Sequence, residues 1–246
     1  MSVSVTFVGS GDAFGTGGRF QTCFLVRSPG FNFVIDFGAS SLISLNQLGI
    51  SHNEIDAIVL THIHADHCGG TPFMLMDAML GAKREKPLII AGPRDTKARM
   101  REINEVLFPG INSMTPTFDL EYIEMDIMKP NNFRGLTVTP FPAAHTGETN
   151  PTSVRCEIAG KVISYTGDSA WTKHMPALGK DADLLILECY FYKKPIRFHL
   201  NYPVIKEHWD EFSAKRIILT HMGREMLPMA DQIPEETAED HMVIEL

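Results

Sequence analysis

The sequence predicts an α/β fold, in which β-strands alternate with helices along the whole chain. Short β-branched and apolar runs, such as residues 55–60, predict buried strands. Amphipathic stretches between such runs, for example residues 40–48, predict helices that cover a sheet. Several of the predicted strands end at a turn that carries a histidine or an aspartate, and these residues are His62, His145, Asp168 and His221.

Length and composition limit the kind of protein. The 246 residues suffice for one large domain spanning 1–246. With 22 basic and 30 acidic residues, the net charge of −8 argues against a nucleic-acid coat or an anionic membrane surface. No apolar run approaches the roughly 20 residues that span a bilayer. The amino-terminal residues do not resemble a signal peptide, which predicts a cytoplasmic protein. The cysteines are widely spaced and are predicted to be free thiols: Cys23, Cys68, Cys156 and Cys189.

A dense histidine cluster follows the predicted strand at 55–60. It reads Thr-His-Ile-His-Ala-Asp-His-Cys-Gly-Gly and contains His62, His64, Asp66 and His67. Imidazole nitrogens and carboxylate oxygens are ligands for borderline-soft divalent metals. Because the spacing does not follow one helix face, it predicts a tight non-helical loop that directs neighbouring side chains toward two centres. A polar loop with chance histidines is the less favoured interpretation, since histidine usually occurs singly.

The pattern His-x-His-x-Asp-His-x-Gly-Gly resembles the signature of the metallo-β-lactamase-fold hydrolases. This resemblance implies an αββα four-layer sandwich, in which two mixed β-sheets are flanked by helices. It also implies a dinuclear site with two ligand groups and a bridging carboxylate. By this resemblance, His62, His64 and His145 hold one cation, Asp66, His67 and His221 hold the second, and Asp168 bridges them. Asp66 is in addition predicted to be catalytic.

The predicted cofactors are two divalent cations. Related di-iron reductases carry a glutamate where this chain has Ala65, so zinc is the first choice and manganese or iron the alternatives. Two cations lower the pKa of a shared water, which makes a bridging hydroxide available near neutral pH, and they clamp the attacked and leaving oxygens. The predicted reaction is therefore hydrolysis of an ester-like bond.

Further motifs resemble the branch that contains ribonuclease Z and small phosphodiesterases. The runs Ala-Ala-His-Thr at 143–146 and Leu-Thr-His-Met at 219–222 carry this resemblance, as does the glycine-rich opening, which would border the active site. Two features depart from ribonuclease Z. The counterpart of its His-Glu-Ala-Thr motif, at 187–190, lacks the histidine, and the 22 residues between His145 and Asp168 leave no room for a long basic arm.

These departures predict a phosphodiesterase for a small phosphodiester or cyclic nucleotide-like substrate, with extended nucleic acid not expected. Three alternatives remain: a hydrolase of a carboxylic ester, lactone or thioester on the same fold, a ribonuclease Z-like RNA endonuclease, and a non-catalytic binding protein. The oligomeric state is open, and a homodimer is one alternative.

Phosphodiester hydrolysis also needs a proton for the leaving oxygen. His199 is the candidate donor, with a surface or hydrogen-bonded histidine as the alternative. Lys193, Lys194 and Arg197 are candidate anion contacts, with a solvated basic loop as the alternative for these three. Asp36 is predicted either to fix a ligand histidine or to cap the following helix. The other histidines have no companions in sequence and are predicted to be structural or exposed: His52, His174, His208 and His241.

Overall fold

The computed structural model describes residues 2–246 and contains two mixed β-sheets. The first sheet has the order β13-β1-β2-β3-β4-β5-β6, and β3 to β6 are parallel. Its strands are β1 (Ser4–Gly9), β2 (Cys23–Ser28), β3 (Phe31–Ile35), β4 (Ala57–Val59), β5 (Leu88–Gly92), β6 (Leu120–Glu124) and β13 (Val243–Glu245).

The second sheet has the order β12-β11-β10-β9-β8-β7, and β10 to β12 are parallel. Its strands are β7 (Asn131–Phe133), β8 (Leu136–Pro142), β9 (Thr152–Ile158), β10 (Lys161–Tyr165), β11 (Leu184–Glu188) and β12 (Ile217–Thr220). The α-helices of the described residues are α1 (Ser41–Gln47), α2 (Ala65–Cys68), α3 (Thr71–Leu80), α4 (Thr96–Leu107), α5 (Met175–Leu178) and α6 (Tyr202–Glu207).

Three apolar clusters define four layers. The central cluster joins the inner faces of the two sheets, with Phe24 of β2 and Tyr165 of β10 in edge-to-face contact at 5.0 Å between ring centroids. A second cluster packs α1, α3 and α4 on the outer face of the first sheet, and a third packs α5 and α6 on the outer face of the second. The predicted αββα sandwich is therefore confirmed.

The inner strands of each sheet are buried on both faces, which explains their continuous apolar sequences. In β2, Phe24 points into the central cluster and Leu25 into the outer one, and neither side chain is exposed. Helix α5 is short and begins only at Met175. Proline is tolerated in the first turn of a helix, where Pro176 lies. In a helix interior it would remove a hydrogen bond and clash with the preceding turn, so the helix cannot begin a turn or more earlier.

The four cysteines are buried free thiols, as predicted. No helix within residues 2–246 is both long and apolar enough to cross a membrane.

Candidate metal centre

The histidine cluster begins where β4 ends. His62 lies outside helix and strand, and His64 has an extended backbone and is the N-cap of α2. Asp66 and His67 lie on α2, which is a single helical turn. The predicted non-helical loop is thus wrong for residues 65–68. The extended and helical parts direct different pairs of side chains, which is why no single periodicity describes the motif.

Three imidazoles form the first ligand group. His62 Nε2 lies 3.0 Å from His64 Nδ1, and His145 Nε2, delivered by the segment after β8, lies 3.1 Å from the same atom. Nitrogen atoms of all three rings lie within 4.8 Å of one another. The structure therefore brings together the three residues predicted to share one cation.

The second ligand group contains Asp66, His67, Asp168 and His221, with ligand atoms again within 4.8 Å of one another. His67 Nε2 is 3.2 Å from Asp66 Oδ2 and 3.1 Å from Asp168 Oδ1, and His221 Nε2 is 3.5 Å from Asp168 Oδ2. Asp168 also groups with His145, a member of the first set. Its carboxylate thus lies between the two groups, where the sequence predicts a bridging ligand.

These residues fit divalent cations. His67 Nε2 and Asp168 Oδ1 are buried and, among residues 2–246, neither has a hydrogen-bond partner. Burial would lower the pKa of His67, but the carboxylates of Asp168, Asp66 and Asp36 raise it well above its ordinary value. An electrostatic field that attracts a proton so strongly to a buried site also attracts a metal cation.

Partners behind the ligands fix the orientation of several rings. Asp36 Oδ2 accepts a hydrogen bond of 2.6 Å from His67 Nδ1, which leaves Nε2 facing the centre. Asp36 also accepts from the backbone N–H of Thr61 at 2.7 Å and from its hydroxyl at 2.8 Å. Of the two roles predicted for Asp36, its contacts match the fixing of a ligand histidine. In the same way, Thr22 Oγ1 lies 3.2 Å from His221 Nδ1.

His221 and Asp36 both have left-handed backbone conformations, with φ of 57° and 58°. Non-glycine residues rarely adopt this region, and such strain persists where surrounding contacts enforce it. Here the backbone N–H of His221 donates to Ser10 O at 3.1 Å, and Asp36 N donates to Val59 O at 2.9 Å. The neighbouring strands therefore hold both side chains toward the centre.

His199 lies beside the centre, with its ring 5.0 Å from that of His145 and its Nδ1 4.0 Å from Asp168 Oδ2. Its Nδ1 donates to the buried carboxylate of Glu188, which also accepts from Ser169 N at 2.9 Å. Burial would lower the pKa of His199, but the hydrogen bond and charge of Glu188 raise it to about 9. Sequence reasoning did not find Glu188, although it ends an apolar strand as the other site residues do.

A cavity of about 180 Å³ opens above these ligands. Its remaining walls are Ala13, Phe14 and Tyr190, so the glycine-rich opening borders the site as expected. Phe14 is 75% exposed and also lines an adjoining cavity of about 370 Å³, together with Tyr190, Phe191 and Arg224. No pattern in the sequence indicated these aromatic walls.

The candidate anion contacts do not line the site cavity. Lys193, Lys194 and Arg197 instead lie over aromatic rings of their own segment, with cation-to-centroid distances of 5.3, 5.4 and 4.5 Å. This arrangement matches the alternative of a solvated basic loop. The four histidines predicted to be structural or exposed also lie outside the cavity lining.

Comparison with known proteins supports this architecture. Ribonuclease Z from Lachnospira eligens is 32% identical over 123 residues, which cover 50% of this chain and only 38% of that protein. Ribonuclease Z from Saccharolobus islandicus (strain L.S.2.15 / Lassen #1) is 26% identical over 271 residues, covering 90% of this chain and 89% of the relative.

Solved structures share the whole fold. The metallo-β-lactamase fold protein YhfI from Bacillus subtilis superposes with a TM-score of 0.81 at 21% identity, covering 99% of each chain. A diphosphatase from the PhnP family superposes with a TM-score of 0.76 at 18% identity, covering 99% of this chain and 98% of that one.

The two packed sheets and the clustered ligands define a metallo-β-lactamase-fold protein of the metal-dependent hydrolase class. A family model matches residues 3–243, which is nearly the entire chain. The chain belongs to this family, described as anti-Pycsar protein Apyc1.

Proposed function

We propose that the chain is a dinuclear metal-dependent phosphodiesterase that hydrolyses a small phosphodiester or cyclic nucleotide-like substrate. The observation that carries this proposal is that members of both ligand groups and His199 line one cavity of about 180 Å³. Two bound cations, with zinc as first choice, would make a water acidic enough to attack near neutral pH and would neutralise phosphate charge. The homodimer and the cytoplasmic location stay predictions.

The protein residues have separate tasks in this proposal. The first ligand group and the second would each hold one cation, and Asp168 lies between the two groups. Asp66 lines the cavity, and we propose that it would orient the attacking water as well as bind metal. His199 Nδ1–H donates a hydrogen bond to Glu188, and the raised pKa keeps the ring protonated at both nitrogens. Nε2–H is therefore the group that can protonate the leaving oxygen.

The size of the site favours a small substrate over folded RNA. Its cavity adjoins a further aromatic cavity. The connection from His145 to Asp168 consists of a short 3-10 turn (Gly147–Thr149) and the β9–β10 hairpin. The PhnP-family diphosphatase shows that this fold accommodates a phosphate hydrolase. The ribonuclease Z relatives keep an RNA endonuclease as the second candidate, and a carboxylic ester or lactone hydrolase would use the same ligands.

A substrate panel distinguishes these functions. We expect zinc-loaded protein to hydrolyse bis(p-nitrophenyl) phosphate and at least one 3′,5′-cyclic mononucleotide, and to leave lactones and precursor transfer RNA intact. Hydrolysis of lactones alone, or of precursor transfer RNA in preference to all small diesters, would defeat the proposal.

Variants test the proposed roles. Metal content and activity are both expected to fall in His64→Ala and Asp168→Ala, and activity retained in both would remove the ligand assignment. His199→Ala should keep its metal and lose about 100- to 10,000-fold in kcat, the range for a lost general acid. Glu188→Gln should lower kcat less than His199→Ala does, and it should shift the pH profile of kcat. His174→Ala, a histidine outside the cavity lining, is the matched control.

A further inference from the structure

A separate cavity, of about 450 Å³, lies away from the candidate metal centre on the outer side of the first sheet. Its walls come from α3, α4, β6 and the connection between α4 and β6, and none of the residues proposed as metal ligands lines it. The volume falls within the range of about 300–1,000 Å³ that is typical of small-molecule sites. Nothing in the proposed function uses this cavity.

One side of the cavity is apolar. Methionines in such a wall adapt their shape to different partners, because their side chains are unbranched and flexible. The apolar lining includes Leu75, Met79, Ile111, Met114, Phe118 and Leu120. This side can therefore bury the apolar or aromatic body of a ligand.

The other side carries positive charge. Lys97 and Arg101 lie four residues apart on α4, so the two cations share one helix face and repel each other. Neither forms an ion pair with any residue from 2 to 246, although acidic residues outnumber basic ones in this chain. Asp119 is the one carboxylate in the lining, which leaves an excess of positive charge. An anion bound between the two cations would relieve their repulsion.

A buried amide adds a further polar feature. Asn104 is only 3% exposed, lines the same cavity, and its Oδ1 has no hydrogen-bond partner among the described residues. A buried amide oxygen without a donor costs stability until a ligand or a water molecule supplies one. Burial raises the pKa of Tyr122. Asn104 and Arg101, which both lie close to Tyr122, lower this pKa by a smaller amount.

We propose that this cavity binds an amphipathic anion: a small molecule with an apolar or aromatic body and a carboxylate, sulfonate or phosphate head. The body lies against the apolar lining from α3 and β6, and the head lies between Lys97 and Arg101. The site is independent of the metal centre, so the proposal stands or falls separately from the phosphodiesterase function.

Fluorescence titration of the full, metal-loaded protein with 8-anilinonaphthalene-1-sulfonate tests the proposal. Dodecanoate should displace the dye, and dodecyltrimethylammonium, which has the same tail and the opposite charge, should not. The double variant Lys97→Ala/Arg101→Ala removes both positive side chains and should weaken dye and dodecanoate binding about tenfold. This is the combined effect expected of two partly solvated charges. Both residues are exposed, so the melting temperature should stay unchanged.

Arg99→Ala is the matched control, because Arg99 lies on the same helix but lines a neighbouring apolar groove instead. The Arg99→Ala variant should bind the dye with the same affinity as the parent protein. Equal affinity of the double variant and the parent would overturn the proposal. Loss of binding in Arg99→Ala, equal displacement by both amphiphiles, or no displacement by dodecanoate would each overturn it as well.

Discussion

Asp36→Asn is the sharpest test of how the second ligand group is held. The carboxylate is fully buried and accepts from His67 Nδ1 and from two donors of Thr61. Asparagine has the same size and tolerates the left-handed backbone found here, so the fold should survive. The asparagine amide has one acceptor atom instead of two, and its NH₂ group cannot accept a hydrogen bond from His67 or from Thr61.

The expected loss follows from the hydrogen bond that is removed. A bond to a charged group contributes about 1.5–3 kcal/mol, and outer partners of ligand histidines change metal affinity about 10- to 100-fold, or about 1.4–2.8 kcal/mol. The loss should fall on the cation bound by Asp66, His67 and His221. The cation that His62, His64 and His145 would hold should be weakened less, because Asp36 reaches this group only through Thr61 Oγ1, which lies 3.1 Å from His62 Nδ1.

Competition with a chelating dye, followed by metal quantification, measures both affinities. Asp56→Asn is the matched control, because Asp56 immediately precedes β4 at the end remote from Thr61 and accepts from Asn32 N at 2.8 Å. Equal weakening of both cations, or no change in either, would refute the idea that Asp36 acts by orienting His67.

Three further predictions concern stability, packing and reactivity. Arg84 is fully buried and donates to the carbonyls of four residues at 2.6–3.1 Å, so Arg84→Met should cost about 2–4 kcal/mol in urea unfolding. In Gly70→Ala the new Cβ would lie 2.3 Å from Gly38 O, which should displace α2 and weaken metal binding measured by chelator competition. Burial raises the pKa of the Cys68 thiol to about 12, so iodoacetamide should label it only after unfolding, as mass spectrometry would show.

Much of the site could be predicted from local sequence. His62, His64, Asp66 and His67 lie within six positions, and His145, Asp168 and His221 each follow a strand-like run. Because strand ends are where side chains emerge from a sheet toward solvent, these positions were recognisable without knowing how the sheets pack. The two-sheet architecture followed from the resemblance that the histidine motif carries.

Contacts between distant segments were decided by tertiary structure. Glu188 reaches His199 only because the segment after β11 folds back over the end of its own strand, and Phe14 becomes a wall only because the opening loop packs beside Tyr190. The basic residues near His199 are close to it in sequence yet lie outside the cavity lining, since their side chains pack on half-buried aromatic rings of their own segment. The histidine-rich motif, together with the family resemblance that it carries, indicated which residues could bind metal. The packing of the two sheets decided which groups orient the metal-binding side chains. Hydrogen-bond partners that are far apart in the chain leave no periodic pattern in the sequence, so they could not be predicted from it.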